Sequence, residues 1–431
     1  MAFHIVIAGD FAGASSERPS KPLEVDRDNF ETVLARVHPR IELPLRNTGG
    51  EPLSVNISEF DDFHPDRLYQ RLPIFAAIRA TVAEEPAPQT PPPALPDAAA
   101  KTGGGFLDDI LASTEERYTS APRRDDWDEA LHRIATSHAQ PKPSPEQDRR
   151  AADARKASTL LMRAILHSPQ FRSVESAWRG LDFLVRRLDT DSDLRIVLLD
   201  APKGKLAERL SKAGDEEWSV ALANYSFGPG DADLSALRNL AQAAAAVEIP
   251  VVAGAHQMLL GCESPGDLSD PAEWRTLPEA TQNRWAALRR SKEAAWVGLA
   301  LPRILSRLPY GAASSPCEEF PFEELAEGVS HDDLAWANPI FGCAALLGQS
   351  WLDYGEASAG HDLDGMLSFS WREGGEARFQ PAGEAPLTDR AVERILERGL
   401  IPLMSSKHGS EVRVPRFQSL ADPPLPLEFP G

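Results

Sequence analysis

The sequence predicts an α/β chain (α+β in the looser sense) with mixed sheets flanked by helices. Three observations carry the prediction. Phe3 to Ala8 opens the chain as a strand candidate. Leu194 to Leu199 and Val251 to Gly254 are short, β-branched apolar runs of buried-strand character, and helical patterns lie between them. At 431 residues the chain exceeds the usual single-domain size, which points to two or three domains.

Composition narrows the class. Apolar residues make up 42% of the chain, enough for a sizeable core. The formal charge of -20 argues against nucleic acid or an anionic membrane as partner, because both need a basic surface. Cys262, Cys317 and Cys343 are odd in number and lack CxxC spacing, so they read as reduced thiols with no disulfide frame, zinc site or other metal. The opening MAFHIVIAGDF lacks the features of a signal peptide, and no apolar run is long enough to span a bilayer. A cytoplasmic protein without cofactors is the expectation.

Taken in order, Gly9-Asp10 turns the chain after the first strand, without a phosphate-loop pattern. Asp26 or Asp28 caps a helix from Asn29 to Val37, with Phe30, Val33, Leu34 and Val37 on one face. Ile41 to Leu43 alternates as a strand, and Phe60-Asp61-Asp62-Phe63-His64-Pro65 leads into a helix with proline near its start. Residues 85–105 are rich in Pro and Ala and close on three glycines, a linker. Its reach is about 25 Å as a coil and roughly 60 Å stretched. Phe106 to Ala112 is a short amphipathic helix, and Trp127 to Ile134 a second.

The stretch from Leu160 to Asp200 organises the remainder. Ser168-Pro169 starts a helix to Leu188 with Phe171, Val174, Trp178, Leu181 and Val185 at helical spacing. The strand Leu194 to Leu199 follows. Leu206 to Ala213 and Leu234 to Val247 read as helices, with a turn at Asn224 to Gly230 between them. His256 beside Met258-Leu259-Leu260 reads as a core or capping histidine. Arg303 and Arg307, four apart, are placed on a short helix after Pro302, paired with Glu318, Glu319, Glu323 or Glu324. The consecutive triplet His331-Asp332-Asp333 does not converge easily on one metal, because neighbouring side chains point apart. Glu373-Gly374-Gly375-Glu376 turns a hairpin, and Leu387-Thr388-Asp389-Arg390 caps a helix from Ala391 to Arg398. Leu400 to Leu403 and Val412 to Phe417 are strands, the second at a sheet edge because it carries Pro415.

No nucleophile–base constellation stands out, so no enzyme is expected. A hydrolase on the α/β core, using Asp10 or His256 at a strand end, is the remote alternative.

Several motifs carry a resemblance. Ser168-Pro169-x-Phe171-x-x-Val174-Glu175-x-x-Trp178-x-Gly180-Leu181, Trp296-Val297-Gly298-Leu299-Ala300-Leu301-Pro302-Arg303 with Arg307-Leu308-Pro309-Tyr310-Gly311, and TDRAVERILERGLIPLM resemble the large sheath subunit of type VI secretion systems. IVIAGDF, VDRDNF and FDDFHPDRL resemble the small subunit of the same phage-tail-like contractile sheath. The resemblance implies a small-subunit-like part (1–84), the linker (85–105), a short helical segment (106–140), a large-subunit-like α/β core (141–360) and a C-terminal sheath-like part (361–431). It implies a structural protein that forms homo-oligomers around an inner tube in the bacterial cytoplasm, with baseplate proteins and a recycling AAA+ ATPase as further partners. A non-polymerising adaptor, baseplate-linked or terminator protein is the alternative within that class. Assembly by strand exchange is implied, with Phe3, Ile5, Ile7, Val412, Val414 and Phe417 as inter-subunit strand residues. The resemblance also marks Leu107, Ile110 and Leu111 as an ATPase-recognition segment, alongside the plainer reading of a docking helix.

Overall fold

A computed structural model describes residues 2–46, 52–83, 145–190, 193–212, 217–325, 329–406 and 409–430. In chain order the elements are β1 (Phe3–Gly9), β2 (Leu23–Val25), α1 (Phe30–Val37), β3 (Arg40–Arg46), β4 (Pro52–Asn56), α2 (Pro65–Arg71) and α3 (Pro73–Ala83). Then come α4 (Pro145–Leu166), α5 (Pro169–Arg187), β5 (Leu194–Asp200), α6 (Leu206–Ser211), β6 (Val220–Phe227), α7 (Asp231–Val247), β7 (Val251–Ala255), α8 (Glu279–Arg289) and β8 (Val297–Leu301). The chain continues with β9 (Ile304–Arg307), β10 (Ala335–Ala337), α9 (Ile340–Tyr354), β11 (Asp362–Leu363), β12 (Phe369–Glu373), β13 (Glu376–Gln380), α10 (Asp389–Glu397), β14 (Ile401–Pro402), β15 (Met404–Ser405) and β16 (Val412–Arg413).

A seven-stranded sheet in the order β14-β8-β7-β6-β1-β5-β2 forms the centre of one compact unit, Met1–Ala76 with Ser158–Gly431. The ranges 1–84, 141–360 and 361–431 all give strands to this sheet. It is parallel except for β2, which runs antiparallel to β5. Both faces are covered, as a parallel sheet requires. Val6 and Ala8 join the apolar cluster holding Leu237, Leu240 and Leu288 of α7 and α8, while Phe3 stacks on Trp351 of α9 at 5.1 Å. The second unit, Ala77–Ala157, is described at 77–83 and 145–157; there Arg150 pairs with Glu146 at 2.7 Å, one turn apart.

The position of β1 overturns one expectation. Its residues pair with β5 from Phe3↔Leu194 to Gly9↔Asp200 on one side, and with β6 from Ile5↔Val220 to Ala8↔Ala223 on the other. Phe3, Ile5 and Ile7 are fully buried. They fill the chain's own core and leave no open edge, which corrects their expected use between subunits. The second candidate strand is corrected likewise. It shrinks to Val412–Arg413, lies between β11 and β15 rather than at an edge, and Val412, Val414 and Phe417 are buried.

Three local readings also change. Asn224 to Phe227 continues β6 instead of turning. Arg303 precedes, and Arg307 ends, a strand rather than occupying a helix. Asn29 is the residue at the N-terminal boundary of α1, while Asp26 Oδ1 accepts the N–H groups of Asp28 and Asn29 at 2.8 and 2.7 Å. The β12–β13 hairpin forms as read, its Gly374-Gly375 pair at φ +58° and +89° supplying the two positive angles of a tight twisted turn.

Candidate functional site

Buried polar side chains lie at the seam between residues 1–76 and the later chain and deeper in the later chain itself. At the carboxyl ends of β1 and β5, Asp200 is 2% exposed. Its Oδ1 accepts the N–H groups of Phe11 and Ala12 at 2.9 and 3.0 Å, and Oδ2 accepts from Arg18 Nη1 at 2.8 Å. Arg18 also donates to Asp10 Oδ1 at 2.9 Å. Burial works against the Arg18 charge, but Asp200 and Asp10 outweigh it and hold the guanidinium above its ordinary range. Burial, then Asp10 and Asp200, also push the Tyr225 hydroxyl far up, and that hydroxyl donates to Ala201 O at 2.6 Å.

Aromatic side chains continue the seam. Trp178 of α5 donates through Nε1 to Phe11 O at 3.0 Å and meets the Phe11 and Phe30 rings edge-on at 5.4 and 5.8 Å. Phe63 meets Phe171 in the same geometry at 5.9 Å. The motif residue Gly180 is where α5 approaches α9: a Cβ there would stand 2.3 Å from the Phe341 ring. Here glycine is required by space.

Beneath the aromatic layer lies a buried ion network. Arg307 donates from Nε to Glu175 Oε1 at 2.8 Å, and from Nη1 and Nη2 to the two Glu324 oxygens at 2.7 and 2.8 Å. Arg179 donates to Glu175 at 2.9 Å and to the Tyr310 hydroxyl at 2.8 Å. Burial opposes ionisation of Glu324, yet Arg307 dominates and holds the carboxyl down at about 2. Arg303 finds a different acid: its Nε donates to Glu384 at 3.0 Å, and His331 Nε2 lies 2.8 Å from the same carboxylate. Of the four acids expected for the two arginines, Glu324 alone takes one, while Glu175 and Glu384 come from distant segments. Glu175 was signalled by its spacing among Phe171, Val174 and Trp178, an acid on the apolar face of a helix. Asp200 carried no such signal.

The residues of the hydrolase alternative serve local structure. Asp10 accepts from Gly13 N at 3.0 Å as well as from Arg18. His256 Nδ1 accepts from Met258 N at 3.2 Å and caps the following turn. Leu107, Ile110 and Leu111, like the expected helix at 127–134, lie outside the described residues.

Comparison with known proteins bears on this seam. A family model described as "EvpB/VC_A0108, tail sheath N-terminal domain" matches residues 151–219 and 210–420, more than half the chain. The chain belongs to the type VI tail-sheath family. A second model, "Type VI secretion system, VipA, VC_A0107 or Hcp2", matches residues 1–81. This sheath-family chain therefore carries a VipA-like N-terminal stretch ahead of the larger match, and the seam lies between the two. It is 30% identical over 298 residues to the "Type VI secretion system sheath protein TssC1" of Pseudomonas aeruginosa, an alignment covering 62% of this chain. The chain spans about three fifths (59%) of that relative's length. No helix among the described residues of the sheath-family chain is long and apolar enough to cross a membrane.

Proposed function

We propose that this chain is a structural subunit of a type VI contractile sheath in which the small- and large-subunit parts are one polypeptide. The observation that carries the reading is β1: a strand from the VipA-like match sits between two strands from the larger match, paired on both sides. One chain then supplies both parts at a fixed one-to-one ratio, with residues 85–105 as the connecting linker. The subunit assembles with copies of itself around an inner tube in the bacterial cytoplasm, in contact with baseplate proteins, and a AAA+ ATPase recycles it through the segment holding Leu107, Ile110 and Leu111. Its role is structural, without catalysis.

Strand exchange needs an open edge, and the β12–β13 hairpin supports one. Its two strands pair with each other alone among the described residues, and Glu376 to Phe379 are exposed. Such a hairpin offers unpaired backbone N–H and C=O groups to an added strand. Negative-stain electron microscopy of the purified protein, alone and with its tube-forming partner, tests the reading. Tubes or stacked rings are expected. Monodisperse particles in both samples would reject the polymerising subunit in favour of an adaptor or terminator.

A further inference from the structure

A cluster at the seam is unused by the assembly reading. His64 ends the 3₁₀ turn Phe60–Phe63 and caps α2, and Asp66 lies two residues on, at the second position of that helix. Cys317 comes from the loop after β9, some 250 residues later in the chain. Asp66 brings it there: its Oδ2 accepts the N–H of Glu318 at 2.9 Å and its Oδ1 the N–H of Glu319 at 3.1 Å. The residue preceding those two N–H groups is Cys317, so the carboxylate that anchors the loop also draws the thiol beside it.

We propose that His64, Asp66 and Cys317 form a binding site for one divalent transition-metal ion of the zinc class. One donor atom from each of the three residues lies within 4.8 Å of the other two. His64 Nδ1 and Asp66 Oδ2 are 3.5 Å apart. Zinc–nitrogen and zinc–oxygen bonds of about 2.0–2.1 Å in a tetrahedron put neighbouring donors roughly 3.4 Å apart, so this pair needs little movement. Imidazole, carboxylate and thiolate together suit zinc, whereas calcium and magnesium select all-oxygen donors. All three residues are half-buried, which leaves solvent access for a water as fourth ligand.

The donors are themselves held in place. The two loop N–H groups hold the carboxylate, and the Tyr310 ring meets the imidazole at near right angles with centroids 4.9 Å apart. Arg179 and Arg307 stand nearby, but each is paired with buried acids. Binding replaces the 3.2 Å bond from Asp66 N to His64 Nδ1 with a metal–nitrogen bond. It also replaces the Cys317 S–H with a metal–sulfur bond, the proton leaving to solvent. A thiolate and a carboxylate then neutralise the divalent charge. The ion would fasten α2 to the loop after β9, a staple between the VipA-like stretch and the larger match.

The test is a titration of the full-length chain, stripped with chelator, with Co²⁺ followed by absorbance and then displacement by Zn²⁺. One equivalent should bind and give the intense near-ultraviolet thiolate-to-cobalt band. Cys317→Ser should abolish that band and weaken Co²⁺ binding by about a hundredfold or more, since even outer-shell changes cost 10–100-fold. His64→Asn keeps a good helix cap while removing the imidazole, and should weaken binding comparably. No thiolate band in the wild-type chain, or the same band in Cys317→Ser, would overturn the site. Should Cys317→Ser fail to fold, unchanged affinity in His64→Asn would overturn it equally.

Discussion

Gly9 and Asp200 stand opposite one another at the ends of β1 and β5, and the Asp200 carboxylate reaches over to the backbone of Phe11 and Ala12 just beyond. One buried acid thus fixes where the first strand stops and how the chain leaves the sheet. Asp200→Ala strands two buried N–H groups and takes one of its two acids from Arg18, which should cost about 3–5 kcal/mol. Asp200→Asn, which keeps one acceptor, should cost less. Denaturant midpoints of the two variants check the order.

Deleting residues 1–9 should yield insoluble chain, because it opens a gap in the middle of the sheet and exposes the β5 and β6 edges. A soluble, folded remainder on size-exclusion chromatography would contradict the position of β1.

Gly180→Ala forces a methyl into the Phe341 ring. Overpacking of this kind should lower stability by about 1–3 kcal/mol. Adding Phe341→Leu should recover part of the loss, and thermal midpoints of the single and double variants measure the coupling.

The Glu384 cluster should give stability a dome in pH. Burial opposes ionisation of Glu384, but His331 and Arg303 hold its carboxyl at about 2 against an ordinary 4.5. A depressed carboxyl contributes above its unfolded value, and the contribution fades as pH falls from 4.5 toward about 2. His331 goes the other way: burial lowers it, Glu384 outweighs burial, and the imidazole is raised above 6.5. Its contribution is complete below 6.5 and lost as pH climbs through the raised folded value. His331→Asn should flatten the alkaline side and keep an acid limb, as read from denaturation midpoints across pH.

The hairpin edge has a testable polarity. In a two-residue hairpin the pair closing the turn exchanges both backbone bonds and successive pairs alternate, so Ala377 and Phe379 turn their N–H groups outward. Phe379→Pro should therefore leave the chain folded by circular dichroism while shortening or abolishing assemblies seen by electron microscopy. Normal assemblies would place strand exchange elsewhere.

Local chemistry was legible in the sequence where short-range rules decide. Ser168 caps α5 through a 3.2 Å bond from Phe171 N with Pro169 at the first position, and within the capping stretch Leu387 to Arg390 it is Thr388 that accepts from Ala391 N at 3.3 Å. Long-range pairing was not legible. Phe3 to Ala8 reads as a strand in either a central or an edge position, and only partners almost two hundred residues away decide which. Asn224 and Tyr225 look like turn residues, yet Tyr225 stays extended and its hydroxyl reaches Ala201 O. Arg303 and Arg307 have helical spacing, but their partners, Glu384 and Glu175 with Glu324, hold them along a short strand. Of the three donors, His64 and Asp66 are two residues apart, but Cys317 shares no motif with them and is drawn in by a backbone contact.

The central place of β1 also sets an order of events during synthesis. Ile5 leaves the ribosome some two hundred residues ahead of its partners Ile196 and Val220. At about 5–20 residues per second that is a delay of roughly ten to forty seconds. Throughout it the apolar run FHIVIAG has no sheet to join, and it must be kept from pairing with the same run on neighbouring nascent chains. β1 is enclosed on both sides only once Val220 has emerged, and β7, β8 and β14 then extend the sheet outward from β6.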